Sequence, residues 1–141
     1  MLFRSQAIVR KGNTMQTINA QEFNTLEKYI VGGYDLEILT IPRLKFNGVQ
    51  IKQNQTFTIE IPNPGVLQLS IGKDVTGAVF QRVDNKLEWV MDLNGTVPKQ
   101  MINMQPGEYT VVYRTAGETR TLYSKSKIFK INSGTNTQLS I

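Results

Sequence analysis

The chain has 141 residues, 40% hydrophobic and 19% charged, with 16 basic against 11 acidic side chains and a net charge of +5. That composition is globular, and no apolar run approaches the roughly 18 residues a membrane-spanning helix needs. Cysteine and histidine are both absent, which excludes disulfides, thiolate nucleophiles and Ser-His or Cys-His triads and removes the usual zinc and iron ligands.

Met1–Ser5 (MLFRS) is expected to be non-native sequence rather than a basic-apolar N-terminus. Leu-Phe-Arg-Ser is what CTC-TTC-CGA-TCT encodes, and that string resembles the end of a sequencing adapter. A first hairpin is predicted over Ala7–Ala20. Asn19–Ile30 carries Phe23, Leu26 and Ile30 at helical spacing, but it is short and lies where a repeat expects strand; a turn or short helix leading into a strand is predicted. From there the period is two. "GGYDLEILTIP" (Gly32–Pro42) alternates, "FTIEI" (Phe57–Ile61) puts Phe57, Ile59 and Ile61 on one face, and "VLQLSI" (Val66–Ile71) does the same with Leu67, Leu69 and Ile71. "LEWVM" (Leu87–Met91) aligns Leu87, Trp89 and Met91, which predicts that Trp89 is core. Turn residues separate these runs at Asn47-Gly48, Pro62–Gly65, Asp84-Asn85, Asn94-Gly95, Pro106-Gly107 and Ser133-Gly134. The chain is expected to be all-β.

"PGEYTVVYRTA" (Pro106–Ala116) repeats the earlier glycine-tyrosine stretch. Gly32 matches Gly107, Tyr34 matches Tyr109, Leu36 matches Val111 and Ile38 matches Tyr113. Val49 and Ile51 then match Phe129 and Ile131, Asn54 matches Gly134, and Phe57, Ile59 and Ile61 match Thr137, Leu139 and Ile141. Asparagine and glycine both tolerate the positive φ of a tight turn, which gives the Asn54/Gly134 match a physical reason. Gly32, Tyr34, Asn54, Trp89, Gly107, Tyr109 and Gly134 are therefore expected to be structural.

Two copies predict two tandem small β-sandwich units, residues 6–62 and 63–141. The second copy has an opening strand at Val66–Ile71, whereas only Met1–Gln6 stands in that place in the first. The first unit is thus expected to lack its opening strand, with Phe57, Ile59 and Ile61 partly exposed and one sheet edge unpaired. On that reading the chain is the C-terminal end of a longer protein.

With "GGYDLEILTIPRLKFNGVQI", "TFTIEIPNPGVLQLSI", "MQPGEYTVVYR" and "IFKINSGTNTQLSI" in view, Val31–Ile141 resembles the β-sandwich region that follows the von Willebrand factor type A domain in bacterial, Bacteroidetes-like exported proteins. The resemblance implies immunoglobulin- or transthyretin-like units, export to the periplasm or cell surface, and an upstream domain of the same protein as a partner. The metal motif of that domain, Asp-x-Ser-x-Ser, is absent here, so no site residue carries over.

No constellation of residues calls for catalysis, and neither metal nor cofactor is expected. Asp35 and Glu37 alternate with apolar residues and are expected on one solvent-facing side, whereas an acid-base pair needs one carboxylate buried. Asp74, Asp84 and Asp92 are spaced unlike a calcium loop. Asn54-Gln55-Thr56 and Asn94-Gly95-Thr96 match a glycosylation acceptor at positions where a turn also favours asparagine. Three functions remain. The leading one is a non-catalytic structural and interaction module that contacts another protein. The second is glycan binding, which needs two of Trp89, Tyr113, Tyr123 and Tyr29 on one open face. The third is polyanion binding, which needs Lys125, Lys127, Lys130, Arg114 and Arg120 to converge; the bland reading of these lysines is a solvated strand, and no specific nucleic acid is expected.

Overall fold

A computed structural model describes residues 6–115 and 124–141. Met1–Ser5, Arg120 and Tyr123 lie outside the described residues. The fold is all-β, with no helix among the described residues. Among the described residues eleven strands follow in chain order: β1 (Gln6–Lys11), β2 (Thr17–Glu22), β3 (Gly32–Ile38), β4 (Leu44–Ile51), β5 (Gly65–Ser70), β6 (Val75–Val83), β7 (Lys86–Asp92), β8 (Lys99–Met104), β9 (Gly107–Thr115), β10 (Lys125–Ile131) and β11 (Asn136–Ser140). They fall into two compact units, Met1–Ile61 and Pro62–Ile141.

The helix candidate is not helical. Its first residues complete β2, a turn follows at Phe23-Asn24, and the rest is neither helix nor strand. Phe23 is half-buried, but Leu26 and Ile30 are 79% and 85% exposed. A helix so placed would find no apolar surface for its stripe, and isolated helices of that length are marginal.

Among the described residues the first unit contains one antiparallel sheet, in the order β2-β1-β3-β4. Its buried side chains are Ala7, Val9, Tyr34, Ile38 and Val49. Asn47-Gly48, expected as a turn between strands, is instead a bulge within β4. Tyr34 pairs with Val49 and Leu36 with Phe46, so two residues of β4 oppose Asp35 alone. Gly48 takes φ 69° there, and its N–H donates to Asp35 Oδ1 at 2.9 Å, which satisfies a donor that the ladder leaves unpaired.

The second unit contains two sheets. One has the order β10-β9-β6-β7 and the other β11-β5-β8. Read from the opposite edge, the first of these repeats the order of the single sheet of the first unit. Between its two sheets lies one core: Leu67, Leu69, Ile71, Val75, Val79, Met104, Tyr109, Val111, Phe129, Ile131 and Leu139. β5 is central to it. Leu67 and Leu69 point inward from β5, and burial of side chains of that size stabilises by about 1.5–3 kcal/mol each. The Asp84-Asn85 turn joins β6 to β7 with both residues at positive φ (48° and 63°), the geometry a two-residue hairpin of right-handed strands needs.

Both units share one local device. Gly32 and Gly107 hold φ values of 155° and 158°, open to glycine and unfavourable for a side chain. Two residues on, the Tyr34 hydroxyl donates to the Ile30 carbonyl and the Tyr109 hydroxyl to the Gln105 carbonyl, each at 2.6 Å. Each tyrosine thus ties its strand to the segment four residues upstream, as tyrosine corners do in β-sandwiches. Across the sheet Tyr34 pairs with Val49 and Tyr109 with Phe129. Asn54 and Gly134 take φ values of 55° and 69°.

Candidate interaction surface

Expected to be core, Trp89 is 62% exposed and Leu87 48% exposed. The cause is a register shift in the β6–β7 ladder. Val79 pairs with Met91, but Phe80 pairs with Trp89, so Val90 is the extra residue of a bulge. Because side chains alternate with period two, one extra residue exchanges the two faces of everything beyond it. Met91 follows the buried Val79 and packs on the core. Trp89 and Leu87 follow Phe80 and Arg82 onto the outer face, where the Trp89 indole N–H donates to Asp92 Oδ1 at 3.0 Å.

Four strands then place one row of side chains in register on that face. Trp89 pairs with Phe80, Phe80 with Thr110, and Thr110 with Ile128. Trp89 and Ile128 end the row at 62% and 64% exposed, Phe80 is half-buried, and Thr110 is buried at 7%. Beside it runs a charged row of Arg82, Glu108 and Lys130. Arg82 Nε lies 3.9 Å from Glu108 Oε1, an exposed pair of small energetic weight. No motif or match in the sequence singles out Phe80, Thr110 or Ile128. The alternation of "VTGAVFQRV" does put Phe80 opposite Val79, but nothing in it says that Trp89 joins Phe80.

The other candidate residues separate. Tyr113 pairs with Gly77 on the inner side and packs against the core, opposite to Trp89. Tyr29 belongs to the first unit, where its hydroxyl donates to Gln21 Oε1 at 2.8 Å and its ring meets Tyr34 with centroids 5.5 Å apart. The basic residues do not gather either. Lys127 lies on the strand side that faces the second sheet, and its Nζ donates to the Ser140 carbonyl. Lys130, on β10, pairs with Glu108 near the start of β9, whereas Arg114 lies near the end of β9.

The carboxylates expected to face solvent are engaged. Asp35 Oδ2 accepts the Asn13 N–H at 3.0 Å while Oδ1 accepts that of Gly48. Glu37 accepts from Arg10 Nη1 at 2.7 Å and from Arg43 Nη1 at 2.8 Å. The Arg10 hydrogen bond first, and then that of Arg43, holds its carboxyl down to about 2 against a smaller opposing effect of desolvation. A carboxylate bridging two guanidiniums is an anchor for β1, β3 and the β3–β4 connection, and a poor proton acceptor. No group of three or more acidic residues suited to a metal ion occurs among the described residues. The Asn94 side chain accepts from the Thr96 N–H and hydroxyl in a local turn. In the first unit an open depression is lined by Lys45, Phe46, Val49, Gln50, Lys52 and Phe57, with no acid among its lining residues.

Comparison with protein-family models, with curated proteins and with solved structures gives no match to this chain.

Proposed function

We propose that this protein is a non-catalytic interaction module whose second unit docks a protein partner through the Trp89–Phe80–Thr110–Ile128 row. The carrying observation is the bulge at Val90, which turns a tryptophan out of the core and sets it in line with Phe80 and Ile128 on an open sheet face. Exposed aromatic and aliphatic anchors with a charged row beside them suit protein docking, where aromatic residues supply most of the binding energy. The engagement of Asp35 and Glu37 in the frame of the first unit supports a non-catalytic role. The resemblance to regions following von Willebrand factor type A domains extends the proposal to an appended module of an exported bacterial adhesion protein.

A second reading, stacking of a surface glycan, draws on the cross-strand register that puts two aromatic residues, Trp89 and Phe80, opposite each other on one face. Trp89 is the sole tryptophan, so its emission reports directly on this face. Titration against collagen and against mucin with and without its glycans separates the readings. A blue shift with collagen or with deglycosylated mucin, lost in Ile128→Asp, is the expected result. A shift that requires the glycans establishes the second reading, and no shift with any probe removes the role of this face in either.

A further inference from the structure

The open depression of the first unit has a volume of about 640 Å³ and is lined by β4 from Lys45 to Gln50 and by Lys52, Gln55 and Phe57 of the segment that follows. The bulge at Asn47-Gly48 shapes its wall. Lys45 and Gln50 are an odd number of residues apart and would point to opposite faces of a regular strand; with the extra residue they pair with Glu37 and Gly33 on one face. Gln50 Nε2 lies over Gly33, where a Cβ would come within 3.1 Å of it. Phe46 and Val49, paired with Leu36 and Tyr34, share the other face. The polar groups of the depression are unclaimed. Glu37 stands opposite Lys45, but its two oxygens are taken by Arg10 and Arg43. Lys45 and Lys52 form no ion pair among the described residues, and the carboxamides of Asn47, Gln50 and Gln55 form no hydrogen bond there. Phe57 is 55% exposed. Solvated lysines and amides are ordinary on a surface; here they converge on one hollow with an exposed ring and no acid in its lining.

We propose that this depression binds an acidic polysaccharide, a chain of sugar carboxylates. Lys45 and Lys52 meet the carboxylates. The carboxamides of Asn47, Gln50 and Gln55 each offer donors and an acceptor, which suits hydroxyls that do both. Phe57 presents an apolar ring to the C–H face of a pyranose. The hollow is open to solvent, so a polymer can run through it, and its size is that of ordinary ligand sites. Nucleic acid fits less well, because its affinity rests on many phosphate contacts and two lysines supply few. The site belongs to the first unit and does not rest on the docking role given to the Trp89 row of the second.

The test titrates the full chain by calorimetry with a galacturonate oligomer and with its fully methyl-esterified form, which keeps the sugar backbone and removes the charge. Amide hydrogen exchange read by mass spectrometry locates the ligand. The expected result is binding of the free acid only, weakened by added salt, with slowed exchange confined to residues 45–57. Lys45→Gln combined with Lys52→Gln should raise Kd about tenfold, the order of two exposed ion pairs, and Phe57→Ala about fivefold, the order of one aromatic contact. All three side chains are exposed, so these changes spare the fold. The same loss of charge at Lys73 and Lys99, exposed residues of the second unit, should leave Kd unchanged. Equal weakening by the two lysine pairs would reduce the effect to the net charge of +5 and overturn the proposal. Protection at β7 or β10, equal binding of the ester, an unchanged Kd in Phe57→Ala, or no binding at all overturns it as well. Displacement of the acid by single-stranded DNA at a lower concentration overturns it in favour of nucleic acid.

Discussion

The two units share a four-stranded sheet in one order, a glycine at φ near 155°, and a tyrosine bonded four residues back, yet only one of them closes a core between two sheets. The difference is the three-stranded sheet of β11, β5 and β8, which has no counterpart among the described residues of the first unit. With β5 in place, β8 and β11 become strands, Met104 and Leu139 are buried, and Tyr109 stacks on Phe129 at 5.5 Å and 19° inside a continuous apolar cluster. In the first unit residues 24–29 and 56–60 lie outside any strand, and Tyr34 meets Tyr29 at a tilt of 59°. Strand character is thus a property of the pair and not of the segment: "FTIEI" alternates as well as "TQLSI", but only the latter has a neighbour to bond.

The largest effect should appear when the units are expressed apart. Residues 62–141 are expected to give a cooperative thermal melt by circular dichroism, and residues 1–61 a broad transition or none, because about 60 residues with a one-sheet core are marginal. A sharp melt from the smaller fragment would dissolve the contrast. Next in size are the corner tyrosines. Tyr109→Ala removes a fully buried ring and should cost about 3–5 kcal/mol in urea unfolding, whereas Tyr34→Ala should cost about half as much in its looser setting. Equal losses would mean the two corners bear equal weight.

The pH dependence should divide the units in opposite directions. Burial pushes the Tyr109 phenol up to about 12 from an ordinary 10. Its folded-state value is raised, so the stability it contributes is complete below pH 10 and is lost as pH rises toward 12. Tyr109→Phe should flatten that alkaline loss at a cost near 1 kcal/mol for the missing hydrogen bond. Glu37 is the converse. Its value is lowered from 4.5 to about 2, so its contribution is complete above pH 4.5 and fades as pH falls toward 2. Glu37→Gln should flatten the acid limb of the first unit, and added salt should do so partly, since Arg43 is exposed to solvent. The smallest effect is expected at Trp89. Trp89→Ala should change stability by no more than about 0.5 kcal/mol, as for surface positions generally; a loss of several kcal/mol would return the indole to the core.

Much of the frame was legible from residue order alone. Alternation identified β3, β5, β9 and β10, the turn pairs located the hairpin at Asp84-Asn85, and the matched glycines, tyrosines and Asn54/Gly134 reflect local backbone requirements that act within a few residues. These features depend on φ and on side-chain period, both of which are written in the chain. What the tertiary structure decided is where the period breaks and who the neighbours are. The bulges at Val90 and at Asn47-Gly48 each shift a ladder by one residue, and neither leaves a mark in the hydrophobic pattern. The face that Trp89 occupies, the two arginines that meet at Glu37 from residues 10 and 43, and the row shared with Phe80 and Ile128 all follow from pairings between distant segments. Alternation specifies that two faces exist; only cross-strand register assigns a side chain to one of them.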